Sequence, residues 1–310
     1  MEKFKAFIIR HFEKVVVLSV LIVVLLINFL VTEKMAMLNI YFLPVLLAGY
    51  ILGRRMALLT GILCIFWAIF LALLDPKSFA IQPRPLFITL NIVIWSAFLI
   101  LGGILVGTLF ELKERHIQEL RSAYMGVLEI LAKYLESADR YTKGHSLRVA
   151  DTATDIGMTM GLTKAEVENI RAAALLHDIG KVEISSDLIR KAADLSQDER
   201  ETVDSHVEKG GRLLSSVGAV LRDAVPIIVA HHRYFVEAVP DVEHRPEIPL
   251  GARIVAVADS FDAMITDRPY RKGVPPWKAA EELEKAAGTQ FDPEVVKAFK
   301  QVITGKFAEM

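Results

Sequence analysis

The sequence predicts an all-α protein: four transmembrane helices, then a helical connector, then an all-helical cytoplasmic domain. Three observations predict it. Four long apolar blocks fill the first third of the chain, and an abruptly charged stretch follows them. The remainder repeats apolar residues at helical spacing, without alternating strand patterns bounded by hairpin turns. The implied units are a four-span region over residues 1–110, a connector over 111–135 and a helical domain over 136–310.

The blocks are Val15–Val31, Met35–Leu52, Ala57–Leu74 and Phe87–Phe110, each near the ~20 residues that cross a hydrocarbon core as a helix. The competing reading is a buried helical core. Four such blocks in 110 residues leave almost no polar surface to cover one, so the lipid bilayer is the expected partner. Lys3, Lys5, Arg10 and Lys14 precede the first block, Arg54 and Arg55 join the second to the third, and Lys113 and Arg115 follow the fourth. The opposite loops hold only Lys34, Lys77 and Arg84, so the positive-inside rule places both termini in the cytoplasm. A cleaved signal peptide fits poorly, because the first block is long, lacks a small-x-small site and is followed by more spans. Asn39 and Asn91 lie at membrane depth and are expected to hydrogen-bond between helices. The single cysteine, Cys64, lies in the third span, so no intrachain disulfide is possible. A net charge of -1, with no basic cluster beyond the juxtamembrane positions, excludes a nucleic-acid polymer as partner. The run Tyr41-Phe-Leu-Pro-Val-Leu-Leu-Ala-Gly-Tyr50 with Gly53-Arg-Arg resembles the four-helix membrane sensor unit of some bacterial histidine kinases.

In the connector, Ile117, Leu120, Tyr124, Val127, Leu131 and Tyr134 alternate by three and four. That spacing predicts a parallel homodimer through a short coiled coil; the competitor is a surface helix packed on its own domain. Beyond it, helices are expected over Ser146–Met160, Lys164–Leu176, Ser196–Val217, Leu221–His232 and Arg253–Met264. Thr163, Ser196 and Asp292 read as their N-caps or that of a last helix, the first with Glu166 three residues on.

Five of the eight histidines fall in spaced motifs on this frame: His145, His177, His206, His231 and His232. His177 is followed at once by Asp178, and Asp259 closes the run Val255-Ala-Val-Ala-Asp259. Neutral imidazoles and carboxylates are ligands for iron, manganese and zinc. A His-Asp doublet can serve two metals, the carboxylate bridging ions about 3.5–4 Å apart that polarise a phosphodiester and acidify a water. Lys181, four residues after His177, is expected on the same helix face, where it would neutralise phosphate or assist the leaving alkoxide. Each piece alone has an ordinary structural explanation: a chance doublet, a surface histidine pair, a helix-terminal carboxylate.

The flanks carry a specific resemblance. Tyr-Thr-x-Gly-His-Ser-x-Arg-Val-Ala surrounds His145, Leu-x-His-Asp-Ile-Gly-Lys surrounds the doublet, and Ile248-Pro-Leu-Gly-Ala-Arg-Ile-Val-Ala-Val-Ala-Asp259 is followed by Asp267-Arg-Pro-Tyr-Arg-Lys272. Residues 136–305 resemble the HD-GYP branch of the HD phosphohydrolase superfamily, whose members hydrolyse cyclic di-GMP to pGpG or GMP. By that resemblance His145, His177, Asp178, His206, His231, His232 and Asp259 are metal ligands, and Asp178 and Lys181 are catalytic. Lys181, Arg268 and Arg271 are implied substrate contacts, the cofactor two divalent ions, iron or manganese, and the location a bacterial inner membrane. Three departures stand out. Members with a third metal carry glutamate four residues before the first histidine, where this chain has Tyr141, which implies a two-metal site. The usual proline after the third histidine is Val207. Where the family reads Asp-Gly-x-Gly-Tyr-Pro, this chain has Tyr234-Phe-Val-Glu-Ala-Val-Pro240, without the glycines that permit a tight positive-φ loop. Two other functions compete with cyclic di-GMP hydrolysis: an HD hydrolase acting on another nucleotide, and a catalytically silent sensor of a dinucleotide or protein.

Overall fold

The computed structural model of the chain describes residues 12–79, 84–137, 143–185, 188, 191, 196–215, 221–236, 247–267 and 271–308. The described residues are helical, with no strand among them beyond one isolated bridge between Ala287 and Phe291. The chain divides into two compact units, Met1–Arg121 and Ser122–Met310.

The first unit contains four helices long and apolar enough to cross a membrane: α1 (Phe12–Leu30), α2 (Lys34–Leu52), α3 (Arg54–Leu74) and the first part of α4 (Pro85–Ser137). Its interior is built from Leu21, Val24, Tyr41, Val45, Cys64, Ala68, Trp95 and Leu99, while Leu18, Phe29, Leu63, Phe66 and Phe98 face outward. The α2 segment tightens to a 3-10 turn over Leu38–Tyr41, just before Pro44, whose missing N–H interrupts the regular ladder. The tightened turn sends the Phe42 N–H to Asn39 O, and the freed Leu38 carbonyl accepts from Trp95 Nε1 at 3.0 Å. Asn91 does not join helices as its depth predicts. Its Nδ2 donates 2.8 Å back to Phe87 O, the i−4 carbonyl of its own helix, a local bond that competes with one between helices.

The second unit packs the last part of α4 with α5 (His145–Thr159), α6 (Lys164–Leu176), α7 (Gln197–Asp204), α8 (His206–Ser215), α9 (Val225–Ala230), α10 (Leu250–Ile265), α11 (Pro276–Lys285) and α12 (Pro293–Ala308). Val149, Ala153, Ile156, Ala173, Leu176, Ile228, Ile254 and Phe299 lie in its core. Thr163 and Ser196 both form full capping boxes, with Glu166 and Glu199, and Asp292 accepts from the Glu294 N–H at the start of α12. Two expected helices differ. Ser196–Val217 is broken at Ser205 into α7 and α8, where the Ser205 hydroxyl and His206 Nδ1 bond Thr202 O and Val203 O. The helix expected from Leu221 begins only at Val225, because Pro226 has no N–H to offer the preceding turn.

The connector packs on its own domain mainly through residues beside the three-and-four stripe. Leu128 and Ala132 are buried in the core of the second unit, and Tyr124 packs against it. Leu120, Val127, Leu131 and Tyr134 stay exposed.

Candidate metal centre

Helix ends deliver the histidines. Gly144, in the left-handed region at φ +75°, turns the chain so that His145 opens α5. His177 caps the C-terminus of α6, His206 opens α8, and the His231-His232 pair follows α9. Three of them are held by one local device. His177 Nδ1 donates to Ala174 O at 2.8 Å, His206 Nδ1 to Val203 O at 2.7 Å and His231 Nδ1 to Ile228 O at 2.6 Å. A carbonyl only accepts, so each Nδ1 carries the proton and each Nε2 lone pair is left for another partner.

Ring centroids lie 5.3 Å apart for His145 and His177, 5.2 Å for His177 and His231, and 5.2 Å for His206 and His232. Two groups result, His145–His177–Asp178 and His206–His231–His232, and within each the donor atoms lie within 4.8 Å of one another. Asp178 stands between them, with Oδ2 3.5 Å from His177 Nε2 and Oδ1 3.4 Å from His206 Nε2. Asp259, on α10, places Oδ1 3.3 Å from His145 Nε2. The Nε2 atoms of His206 and His231 are buried without a hydrogen-bond partner. Buried polar atoms are almost always satisfied, and a lone pair of neutral imidazole among carboxylates suits a divalent transition metal. The donor set therefore fits such ions.

A close backbone approach sets this geometry. A Cβ on Gly180 would lie 1.9 Å from His206 O and 2.6 Å from Gly210 N, so only glycine lets the segment after Asp178 dock against α8. Lys181 does not share an α-helical face with His177 as the spacing predicts. Helix α6 ends at Leu176, and Lys181 sits in a 3-10 helix over Ile179–Glu183. The 3-10 repeat of three eclipses it with Asp178 instead, and its Nζ donates to Asp178 Oδ2 at 2.6 Å.

Charge states follow. Burial drives His231 down to about 3, and burial likewise lowers His206 and His232, so all three are neutral. Burial opposes ionisation of Asp178, yet Lys181 and the surrounding histidines hold it well below the usual carboxylate range. Burial likewise opposes ionisation of Asp259, yet its bond to His145 and the charges of His177 and His145 together lower it. Burial works against charge on His145, but hydrogen bonds to Asp259 and Asp262 and the charge of Asp178 push it up to about 10.

Asp262 and Arg148 were not foreseen. Asp262 Oδ2 lies 2.7 Å from His145 Nδ1, and Arg148 holds both oxygens, by Nε at 2.6 Å and Nη2 at 3.0 Å. Spacing contained the signal, as Asp262 is three residues after Asp259 and Arg148 three after His145, on the same helix faces. Arg271 is exposed, donates to Ala263 O at 3.0 Å and belongs to neither ligand group. Arg268, Tyr141 and residues 237–246 lie outside the described residues. Beside His232 runs a groove of about 520 Å³, lined in part by Asp204, Val207, Val229 and Tyr234.

Known proteins resemble the region that holds this site. The family model for the HD domain matches residues 129–295. A cyclic di-GMP phosphodiesterase of Thermotoga maritima is 38% identical over 188 residues, covering 60% of this chain and 51% of its own length. The cyclic di-GMP phosphodiesterase response regulator RpfG of Xanthomonas campestris pv. campestris is 35% identical over 59% of this chain and 49% of its own. A 3'3'-cGAMP-specific phosphodiesterase 3 of Vibrio cholerae is 31% identical over 59% of this chain and 40% of its own. A helical domain with paired histidine and aspartate groups of this kind is the HD architecture, and the chain belongs to the HD domain family. It spans about half the length of the relatives it matches, or less.

Proposed function

We propose that the chain is a membrane-embedded, metal-dependent phosphodiesterase that hydrolyses cyclic di-GMP to pGpG or GMP. The observation that carries this is Asp178, whose two oxygens face one histidine of each group at 3.5 and 3.4 Å, so that one carboxylate would serve both groups if each held an ion. His145, His177 and Asp178, with Asp259 beside His145, would hold one divalent ion, and His206, His231 and His232 the other, iron or manganese by ligand type. The chemistry such ions supply when bound is Lewis-acid polarisation of the phosphodiester and acidification of a water. The chain's own residues do the rest. The backbone carbonyls on Nδ1 fix each imidazole's orientation and tautomer. Lys181, one-third exposed beside Asp178, is placed to neutralise substrate phosphate and assist the leaving alkoxide, with Arg268 and Arg271 as further phosphate contacts. Val207, Val229 and Tyr234 in the neighbouring groove offer apolar surface for a base.

Four apolar helices with outward apolar side chains support a place in a bacterial inner membrane, both termini in the cytoplasm, and units 1–110, 111–135 and 136–310. Leu120, Val127 and Tyr134, seven residues apart and exposed, support a parallel homodimer through the connector. The similarity to a 3'3'-cGAMP phosphodiesterase favours a second reading, hydrolysis of another cyclic dinucleotide. Parallel turnover assays with cyclic di-GMP and 3'3'-cGAMP on the purified chain, loaded anaerobically with Fe(II) or Mn(II), test both. Faster cleavage of cyclic di-GMP is expected. Preference for cGAMP would shift the substrate, and metal bound without turnover of either would leave a silent sensor.

A further inference from the structure

Helix α4 ends at Ser137, and a carboxylate in a last turn opposes the negative end of the helix dipole. Glu136 nonetheless stands there, 8% exposed and with no basic residue in the same turn. Its partners lie on the next helix. Oε2 accepts from the Gly144 N–H and Oε1 from the Ser146 N–H, each at 2.6 Å. These two amides flank His145, the first residue of α5. Gly144 has no side chain with which to cap that helix, so α4 provides the acceptor and negative charge that the start of α5 needs. On the other side, Arg148 Nη1 donates to Lys143 O at 3.1 Å, so the entry to α5 is gripped both from its own second turn and from α4.

We propose that Glu136 is a positioning residue: by clamping the two amides beside His145, it sets that imidazole at the metal centre from α4. This rests on the metal-centre reading above. Two hydrogen bonds to one carboxylate fix distance and rotation together, whereas a single packing contact would let the turn slide. Another polar anchor of α4, Glu129 to Arg171 of α6 at 2.8 Å, touches no residue adjacent to a ligand. It therefore provides a control on the same helix.

The test measures Mn(II) affinity by calorimetry, the visible spectrum of the Co(II) form and the melting of the metal-free chain. The samples are the 310-residue chain in detergent micelles as wild type, Glu136→Gln and Glu129→Gln. Glutamine keeps the shape and one carbonyl acceptor but turns an NH2 donor toward the second amide. Glu136→Gln is expected to weaken Mn(II) binding about tenfold or more and to shift the Co(II) bands. Glu129→Gln is expected to lower the melting temperature comparably and bind as wild type does. Should Glu136→Gln unfold, Glu136→Asp, which withdraws the charge by one methylene, is expected to show the same loss in weaker form. Wild-type affinity in the folded Glu136 variant, or an equal loss in Glu129→Gln, would overturn the proposal. Absence of any Mn(II) or Co(II) binding by wild type would overturn the metal centre itself and this inference with it.

Discussion

Asp262→Asn isolates the support of His145 with little change in volume. Asp262 is 3% exposed and faces His145 Nδ1 at 2.7 Å, while Arg148 grips both its oxygens. The asparagine oxygen can still accept from Nδ1–H, so the ring keeps its tautomer, but the charge that raises its basicity is gone. A hydrogen bond to a charged group contributes about 1.5–3 kcal/mol, against about 1 for a neutral pair. The difference, about 0.5–2 kcal/mol, is roughly a two- to thirtyfold change in an equilibrium constant at 1.36 kcal/mol per decade. Disturbing the ring's orientation adds to this, and outer-shell partners of metal-binding histidines typically alter affinity about 10–100-fold. Arg148 contributes little to the loss, because its side chain is 43% exposed and can turn to water. We expect Mn(II) binding to weaken about tenfold in calorimetry. The stabilisation that saturating Mn(II) gives to thermal unfolding should fall by about 1.4 kcal/mol. An affinity within twofold of wild type would refute the view that Asp262 sets the ligand strength of His145.

Asp178→Ala should abolish metal loading and turnover together, and metal analysis with a cyclic di-GMP assay checks both; retained activity would sink the bridging role. Lys181→Ala should leave metal content unchanged but reduce kcat about 100-fold, since positioned acid–base groups contribute about 10²–10⁴. Gly180→Ala should destabilise the second unit by about 1–3 kcal/mol, as overpacking does, and displace His206, which melting and metal titration would register. The metal-free chain should be most stable near neutral pH. His231, held down to about 3 against an ordinary 6.5, makes the unfolded state take up its proton first, so stability is lost as pH falls below 6.5. His145, pushed up to about 10, contributes stability that is lost as pH rises from 6.5 through 10. Melting curves in chelator across this range should rise and then fall, and a monotonic profile would contradict the assignment.

The sequence made the histidine cluster legible because each of these histidines sits at a helix end, where periodicity stops and caps begin. His177 follows the apolar run of α6, and the His231 pair follows that of α9. Thr163 and Ser196 were readable for the same reason, since a capping box lies within four residues. The face shared by His177 and Lys181 was misjudged because the helix stops at Leu176, and no strong breaker follows until Gly180. Asp262 and Arg148 lie within reach of a face count, each three residues from Asp259 or His145, but an Asp or Arg at that spacing is equally common on a solvated helix face. Glu136 was beyond reach. Its partners are backbone amides of another helix, and backbone amides carry no residue type. The connector's contact with its own domain was harder to read, because Leu128 and Ala132 form a second set at helical spacing beside the stripe, of which Tyr124 packs on the core while Val127 and Leu131 stay exposed.

The most direct test of the account is a single titration: hydrolysis of cyclic di-GMP by the purified chain, made metal-free and then given increasing Mn(II) under anaerobic conditions. The account predicts no turnover without metal and activity rising with occupancy until both histidine groups are filled, with none in Asp178→Ala. Metal-independent hydrolysis, or turnover complete in a chain that binds no ion, would contradict it.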